Sequence, residues 1–564
     1  MSEVTVSRSF TCASTPEALW GVVGDTDSLN RIAGRLPVDL TPAGDDASVA
    51  QWEYPRFYTV GRTMESGPVR SVEMTTTLAA VAGGTEVTIT LTMDPISAVL
   101  EPISRFMGAR RLESMERAVA ALARRRLIED VAPPGRTLSD QLAEWLASTE
   151  LAELGYIRPF ALADRWDADR RALLRSCLEA VEAGALILRW ELVCPSCRVG
   201  ADAVTSLADL TESGHCQLCD LDFELTLDRS VEAIFSKPGA PTERFCPSGP
   251  AMTPHVRVQA ALAPGGALTL IAPEAPGRYQ LFIRGGVSAS VVVTTRGAAS
   301  ASVRAVEGGV AEPAPLVPGG ALTVISGFDD TRHVKLQEVA WRDAAATAWH
   351  VSLEPAFRRT FSTQALSAGT RLAVGRVALM FTDLTHSTTL YERLGDAAAY
   401  RLVRAHFGLL EAAIEARGGA VVKTIGDAVM AAFPDGEAAL AAAADCQRAW
   451  PGFLAELGHS PRETQLRIGV HAGPCYAVEA NGTLDYFGQT VNMAARVEAA
   501  ASGGAIAITE ETLAGIHGIG GADLSALPEG LAVTERREVM LKGLSRRTGV
   551  IWLALEATEA RRAA

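Results

Sequence analysis

Apolar and polar positions along the chain change period several times, and each change marks a different kind of element. Val4 to Phe10 alternates, as a half-buried strand does. Thr15-Pro16-Glu17 then supplies a cap, a first-turn proline and an early acid for a helix carrying Leu19, Trp20, Val22 and Val23. Further alternating runs follow, Glu86 to Met93 the clearest, before a helical period from about Ile96 to Leu127. Ala132-Pro-Pro-Gly-Arg136 breaks the pattern as a linker. Leu138 to Ser148 and Ala168 to Ala183 read as two helices, the second stopped by Gly184 ahead of an apolar strand from Ala185 to Trp190. From about Gly249 to Leu353 short alternating strands predominate in a Gly-, Pro- and Val-rich stretch. There Ala263 to Ile271 nearly recurs as Val317 to Ile325, each a Pro-Gly-Gly turn feeding a strand, which predicts a β-sandwich or partial barrel.

The last third changes again. Arg376 to Asp383 is a buried-type strand that delivers an acid at its end, and the helix after it breaks near Gly395-Asp396 and stops at Gly418-Gly419. Val421 to Ile425 and Ala428 to Phe433 are strands joined by Gly426-Asp427, a two-residue hairpin turn. A helix from about Glu437, a strand from Leu466 to His471, a turn at Asn481-Gly482, a helix from about Gln489 to Ala500 and a final hairpin complete a ferredoxin-like βαββαβ unit.

Length fits this partition, since 564 residues correspond to about four domains at roughly 150 residues each. The boundaries fall at residues 1–131, 137–248, 249–355 and 370–558, giving a multidomain α+β chain. With 48% hydrophobic and 21% charged residues it is globular, not disordered or collagenous. The net charge of -14 argues against non-specific binding to nucleic acid or an anionic membrane. Arg105, Arg110, Arg111, Arg117, Arg124, Arg125 and Arg126 crowd one predicted helix, but Glu113, Glu116, Glu129 and Asp130 interleave with them, as on a solvated, ion-paired face. The start lacks a signal-peptide pattern and no run approaches about 18 apolar residues, so a soluble cytoplasmic protein with no membrane span is expected.

Nine cysteines are too few for a disulfide scaffold. Four of them form a pattern: Cys194-Pro-Ser-Cys197, then 18 residues, then Cys216-Gln-Leu-Cys219. Two knuckles of two thiolates make a closed tetrahedral shell suited to a structural zinc ion, with a redox dithiol or plain buried cysteines as the alternatives. His215 reads as a bystander. Cys12, Cys177, Cys246, Cys446 and Cys475 read as small apolar residues.

In the last third, Asp383 and Asp427 converge if the hairpin pairs beside the first strand, and two such acids near a helix N-terminus suit divalent cations and phosphate oxygens. A turn acid and a cap are the plain alternative. Phe381-Thr-Asp383, Lys423-Thr-Ile-Gly-Asp427, Gly469-Val-His-Ala-Gly473, Asp485-Tyr-Phe-Gly488 and Val491-Asn-Met-Ala-Ala-Arg496 resemble the successive motifs of class III nucleotidyl cyclases, over about Arg376 to Leu555. The resemblance implies that Asp383 and Asp427 bind two Mg2+ (or Mn2+) ions. It implies also that Asn492 and Arg496 orient the ribose and stabilise the transition state, and that Lys542 contacts the terminal phosphates. Lys423 and Asp485 match the positions that read the purine. A cationic donor and a carboxylate acceptor suit the N1 acceptor and 6-amino donor of adenine, and mismatch guanine. ATP is therefore the expected substrate and cyclic AMP the product. Because the family assembles each site from two domains and this chain holds one, a homodimer is implied. A guanylate cyclase and a non-catalytic, ligand-sensing dimerisation adaptor are the alternatives.

The order at the N-terminus, with a strand, short helices, antiparallel strands and a long last helix, resembles the helix-grip fold of the START and polyketide-cyclase-like superfamily. That resemblance implies either a pocket for a small hydrophobic ligand or a filled core that regulates its neighbours.

Overall fold

The computed structural model describes residues 3–33, 50–64, 67–128, 137–242, 249–250, 252–339, 344–361, 363–460, 462–516, 527–542 and 547–556. They divide into two compact units. One comprises residues 1–203, 213–224 and 234–345, the other 204–212, 225–233 and 346–564. Among the described residues no helix is long and apolar enough to cross a membrane.

The first unit opens with strand Val4–Cys12, helices Pro16–Val23 and Thr26–Ile32, strands Gln51–Glu53, Phe57–Thr63, Val69–Val81 and Gly84–Pro95, and the long helix Glu101–Ile128. Thr15 caps the first helix through its side chain and Pro16 occupies its first turn. The first strand pairs antiparallel with the last, Val4 opposite Met93, and the long helix closes a core of Trp52, Tyr58, Ile89, Leu91, Leu112 and Leu122. This sheet does not end at a domain boundary. Gln51–Glu53 pairs with Val256–Leu262, so the first segment and the β-rich segment share one 12-stranded sheet. The sequence pattern shows a strand's faces but not its edge partner, and residues 53 and 258 are far apart in the chain.

Within the β-rich segment, the long strand Val287–Val306 pairs through its first half with Gly277–Ile283 and through its second with Leu316–Ser326. Its register shifts beside Gly297, where an added Cβ would lie 2.2 Å from the Leu316 carbonyl carbon. The enclosed core holds Leu281, Val291, Leu322, Val324 and Leu336. Ala267–Ile271 pairs antiparallel with Leu316–Ser326, Ala267 opposite Ile325 and Ile271 opposite Ala321, so the two Pro-Gly-Gly segments lie at opposite ends of the pair, and the second is part of its strand and not a turn before it. Between the two β segments lie helices Leu138–Ser148 and Arg170–Glu182, as the periodicity predicts, and Pro159–Arg165, which it does not.

In the second unit the strand order is 420–425, 428–433, 371–384, 466–480, 506–509, 548–555, 531–539, with Thr483–Phe487 paired off Leu466–Ala480. The hairpin and the two central strands are antiparallel throughout, which is the split βαββαβ arrangement the sequence predicts. Helices Asp396–Ala416 and Gly436–Glu456 pack Leu410, Ile414, Leu440 and Ala443 into a core with Met380, Phe433 and Ile468.

Candidate functional site

Asp383 stands at the end of strand Arg371–Leu384, and Asp427 in the turn between Ala420–Ile425 and Ala428–Phe433, where Gly426 takes φ +66°. Thr382 pairs with Val429, so antiparallel register brings the two acids next to each other. Their charges converge on one place: both act on Tyr391, His406 and Glu498. Burial, then the charge of Asp427, pushes the Tyr391 phenol well above its usual range. Asp427 Oδ2 and the Tyr391 hydroxyl are both buried, and the carboxylate acts directly on the phenol. Burial drives His406 down, while its Nε2 lies 3.2 Å from the Asp427 carbonyl oxygen.

Arg467 lies directly across the ladder from Asp383 and donates to its Oδ2. Its Nε also lies 2.6 Å from Glu498 Oε1. Burial raises Glu498 to about 7 against the pull of Arg467, with Asp383 and Asp427 adding to the rise. Arg467, Glu498 and Tyr391 were not singled out in the sequence. Arg467 and Tyr391 depend on cross-strand register and helix phase, and Glu498 lies two residues past Arg496, just outside the motif.

Glu498 reaches the acids because helix Gln489–Ala500 lies directly on strand Leu466–Ala480. At Gly469 an added Cβ would sit 2.1 Å from the Glu498 amide nitrogen, and at Gly473 2.8 Å from Thr490 Oγ1. Gly469 therefore permits a close approach of backbone to backbone, and Gly473 leaves room for the Thr490 side chain. The same helix buries Thr490, Met493, Ala494 and Val497, which leaves Asn492 exposed and Arg496 half-buried one turn apart. Among the described residues, no hydrogen bond or ion pair joins Asn492 or Arg496 to Asp383 or Asp427.

Lys423 and Asp485 do meet. Lys423 Nζ donates to Asp485 Oδ2 at 2.6 Å, and the Tyr486 amide donates to Asp485 Oδ1 at 2.8 Å. Lys542 is exposed after buried Leu541, and Gly543 lies outside the described residues. Several apolar side chains flank these groups in the open: Ile425, Met540, and Phe487, whose cross-strand partner Tyr476 is also exposed.

In the first unit, the sulfurs of Cys194, Cys197, Cys216 and Cys219 lie within 4.8 Å of one another, all buried, with Cys197 and Cys216 3.6 Å apart. A tetrahedral zinc ion about 2.3 Å from each sulfur spaces them about 3.8 Å apart, whereas a disulfide needs about 2.05 Å. Both knuckles turn alike, with Arg198 (φ +56°) and Asp220 (φ +50°) left-handed just after the second cysteine of each pair. Contacts from Cys194 and the other two thiols, with the charge of Lys335, hold Cys219 well below the ordinary thiol range. His215 stays outside this group and faces Asp222 at 2.8 Å. Cys12, Cys177, Cys446 and Cys475 are free, and Cys246 lies outside the described residues.

Residues 371–555 match the model of the adenylate and guanylate cyclase catalytic domain. Residues 128–241 match a family of unknown function, DUF5939. An adenylate cyclase of Mycosarcoma maydis is 36% identical over 167 residues, 26% of this chain and 6% of that protein. One of Schizosaccharomyces pombe is 29% identical over 170 residues, 27% of this chain and 10% of that protein. The match therefore spans about a tenth or less of these fungal relatives. The adenylyl cyclase CyaB from P. aeruginosa is 20% identical with a TM-score of 0.28, over 34% of this chain and 98% of that structure.

Proposed function

We propose that this chain, whose residues 371–555 are a class III nucleotidyl cyclase catalytic domain, is an adenylate cyclase that converts ATP to cyclic AMP and pyrophosphate at composite sites in a homodimer. The observation that carries the choice of substrate is the Lys423–Asp485 pair, 2.6 Å apart beside the exposed Phe487.

Asp383 and Asp427 are the cation ligands in this reading. Two carboxylates brought together by register, one with a buried oxygen, fit divalent ions better than a turn acid and a cap do. Bound there, two magnesium or manganese ions lower the pKa of the ribose 3′-hydroxyl and neutralise the triphosphate. Arg467 holds Asp383 in place and shares its charge with Glu498. Lys423 donates to adenine N1 and Asp485 accepts from the 6-amino group. Against guanine both groups face the wrong polarity, at about 1–3 kcal/mol for each buried group left unpaired. Asn492 orients the ribose, Arg496 stabilises charge developing on the α-phosphate, and Lys542 contacts the terminal phosphates.

Homodimerisation is supported by the lack, among the described residues, of any hydrogen bond or ion pair from Asn492 or Arg496 to their own chain's acids, and by the exposed apolar side chains Ile425, Tyr476, Phe487 and Met540. The four cysteines hold a structural zinc ion, for which the sulfur spacing is the support. The first domain, helix-grip-like in its element order, acts in this reading through a filled core and not a ligand pocket, since Trp52, Tyr58, Leu91 and Leu122 pack between its sheet and helix.

The test is product formation by the purified full chain with magnesium and either ATP or GTP. ATP turnover should exceed GTP turnover by at least about tenfold, the factor for 1.4 kcal/mol, and Asp383→Ala should abolish both. Comparable turnover of GTP would select a guanylate cyclase, and product formation untouched by Asp383→Ala would refute the metal assignment.

A further inference from the structure

The four-cysteine cluster lies in the first unit, yet the hairpin carrying Cys216 and Cys219 is bracketed by two segments of the catalytic unit. The chain runs from 204–212 into 213–224 and returns as 225–233. The hairpin itself is short, Ser213–Cys216 against Leu221–Glu224. At its base the Leu225 amide donates to the Glu212 carbonyl at 2.9 Å, so the two flanks leave it side by side.

Both flanks are tied to the elements that carry the active-site residues. On the first, the Leu207 amide donates to Gln364 Oε1 at 3.0 Å and Glu212 Oε1 accepts from the Arg371 amide at 3.0 Å. On the second, Leu227 donates to the Ala373 carbonyl at 2.9 Å, with Thr226 bridging Ala373 in parallel. Strand Arg371–Leu384 has a bulge just beyond, where its register against Leu466–Ala480 slips between Val374 and Val377. The Gly375 amide in that bulge donates to Asp228 Oδ2 at 3.0 Å. An upstream carboxylate thus satisfies a donor that the ladder leaves out, on the strand that delivers Asp383. A second route runs from the Leu227 carbonyl, which accepts from the Trp349 amide at 3.1 Å. Trp349 packs edge-on against Tyr486, the neighbour of Asp485, and Arg358 holds the Tyr486 hydroxyl and the Leu484 carbonyl.

The cluster has the outer groups a charged metal site needs. Four thiolates around a divalent ion leave a net charge of -2. The ammonium of buried Lys335, from strand Arg332–Glu338, lies 3.5 Å from Cys219 Sγ. The Ser196 amide donates to Cys194 Sγ at 3.4 Å and the Gly285 amide to the Cys219 carbonyl at 2.9 Å. Outer partners of this kind fix ligand orientation and metal affinity.

We propose that zinc occupancy of the Cys194, Cys197, Cys216 and Cys219 cluster controls the cyclase, the metal-loaded hairpin holding segments 204–212 and 225–233 in register on the strand that presents Asp383. This rests on the zinc reading given above and adds to it a regulatory consequence and a counter-ion, Lys335. Without metal, four buried thiols and a buried ammonium lose their common partner, the hairpin loosens, and both flanks lose their anchor.

The full chain is purified, its zinc content measured, and the metal withdrawn with a zinc-selective chelator in excess magnesium. Amide exchange in peptides covering 225–233 and 371–380 should accelerate at least tenfold and cyclic AMP formation should fall at least fivefold, both restored by one equivalent of zinc. Unchanged exchange after verified zinc loss overturns the proposal. The exchange readout holds even if the chain makes no cyclic AMP, so failure of the cyclase reading stays distinguishable. A chain that neither contains nor takes up zinc refutes the metal reading, and with it the control. Asp228→Ala should keep one zinc per chain while blunting the response of exchange at 371–380 to chelation, and a response equal to that of the unaltered chain would also overturn the coupling. Lys335→Met should speed zinc transfer to the chelator about tenfold, with Lys335→Arg closer to the original rate. If Lys335→Met transfers zinc at the original rate, Lys335 is not the counter-ion.

Discussion

Arg467 ties together two of the acids gathered at the proposed site. Its guanidinium faces Asp383 on one side and Glu498 on the other, and Asp427 also acts on Glu498. Burial and the two aspartates bring Glu498 up from 4.5 to about 7 against the pull of Arg467. Between about pH 4.5 and 7 the folded chain therefore holds a proton that the unfolded chain has released. Stability contributed by this group is full below that window and is lost as the pH rises through it. Glu498→Gln, which stays neutral, should flatten the pH dependence of the melting temperature across this range, and an unchanged slope would exclude Glu498 as its source. The placement of Asp383 and Asp427 is legible in the sequence because a strand end and a two-residue turn fix where each acid sits. The balance around them is not, because it depends on what faces Asp383 across the ladder.

At the scale of elements, helix Gln489–Ala500 does two things at once: one end directs Glu498 to the acids, and its outer face presents Asn492 and Arg496. Both depend on how deeply it seats on strand Leu466–Ala480. Gly469→Ala would place a methyl 2.1 Å from a backbone nitrogen that no rotamer change can move. Overpacking of this kind costs about 1–3 kcal/mol, so the variant should melt several degrees lower. It should also lose more turnover than ATP affinity if the displaced Asn492 and Arg496 act mainly in the transition state, as proposed. A variant with unaltered melting would show that the helix is free to lift. The strands and helices of this region follow from periodicity and turn chemistry, which are local signals. Pairings across long separations do not. Nothing in residues 225–233 announces that Leu227 bonds to Ala373 or that Asp228 caps the bulge at Gly375. Nor does the alternation near Gln51 reveal Val256–Leu262 as its neighbour.

At the scale of the molecule, one chain presents two half-sites that do not address each other. Asp383 and Asp427 are bound up with Arg467, Glu498 and Tyr391, while Asn492 is exposed, Arg496 is half-buried and, among the described residues, neither bonds to those groups. Ile425 and Phe487, each two residues beyond a member of the Lys423–Asp485 pair, are exposed. If two copies close this arrangement about a twofold axis, each site takes its acids from one chain and Asn492 and Arg496 from the other. Asp383→Ala and Arg496→Ala should then each be inactive alone. Mixed in equal amounts and allowed to exchange, half the dimers pair one of each, and in those one site carries both lesions while the other carries neither. About a quarter of the unaltered activity should return. The regained rate should fall on dilution below the dimer dissociation constant. A mixture as inactive as its components, at concentrations where light scattering shows a dimer, would place all four residues in a site made within one chain.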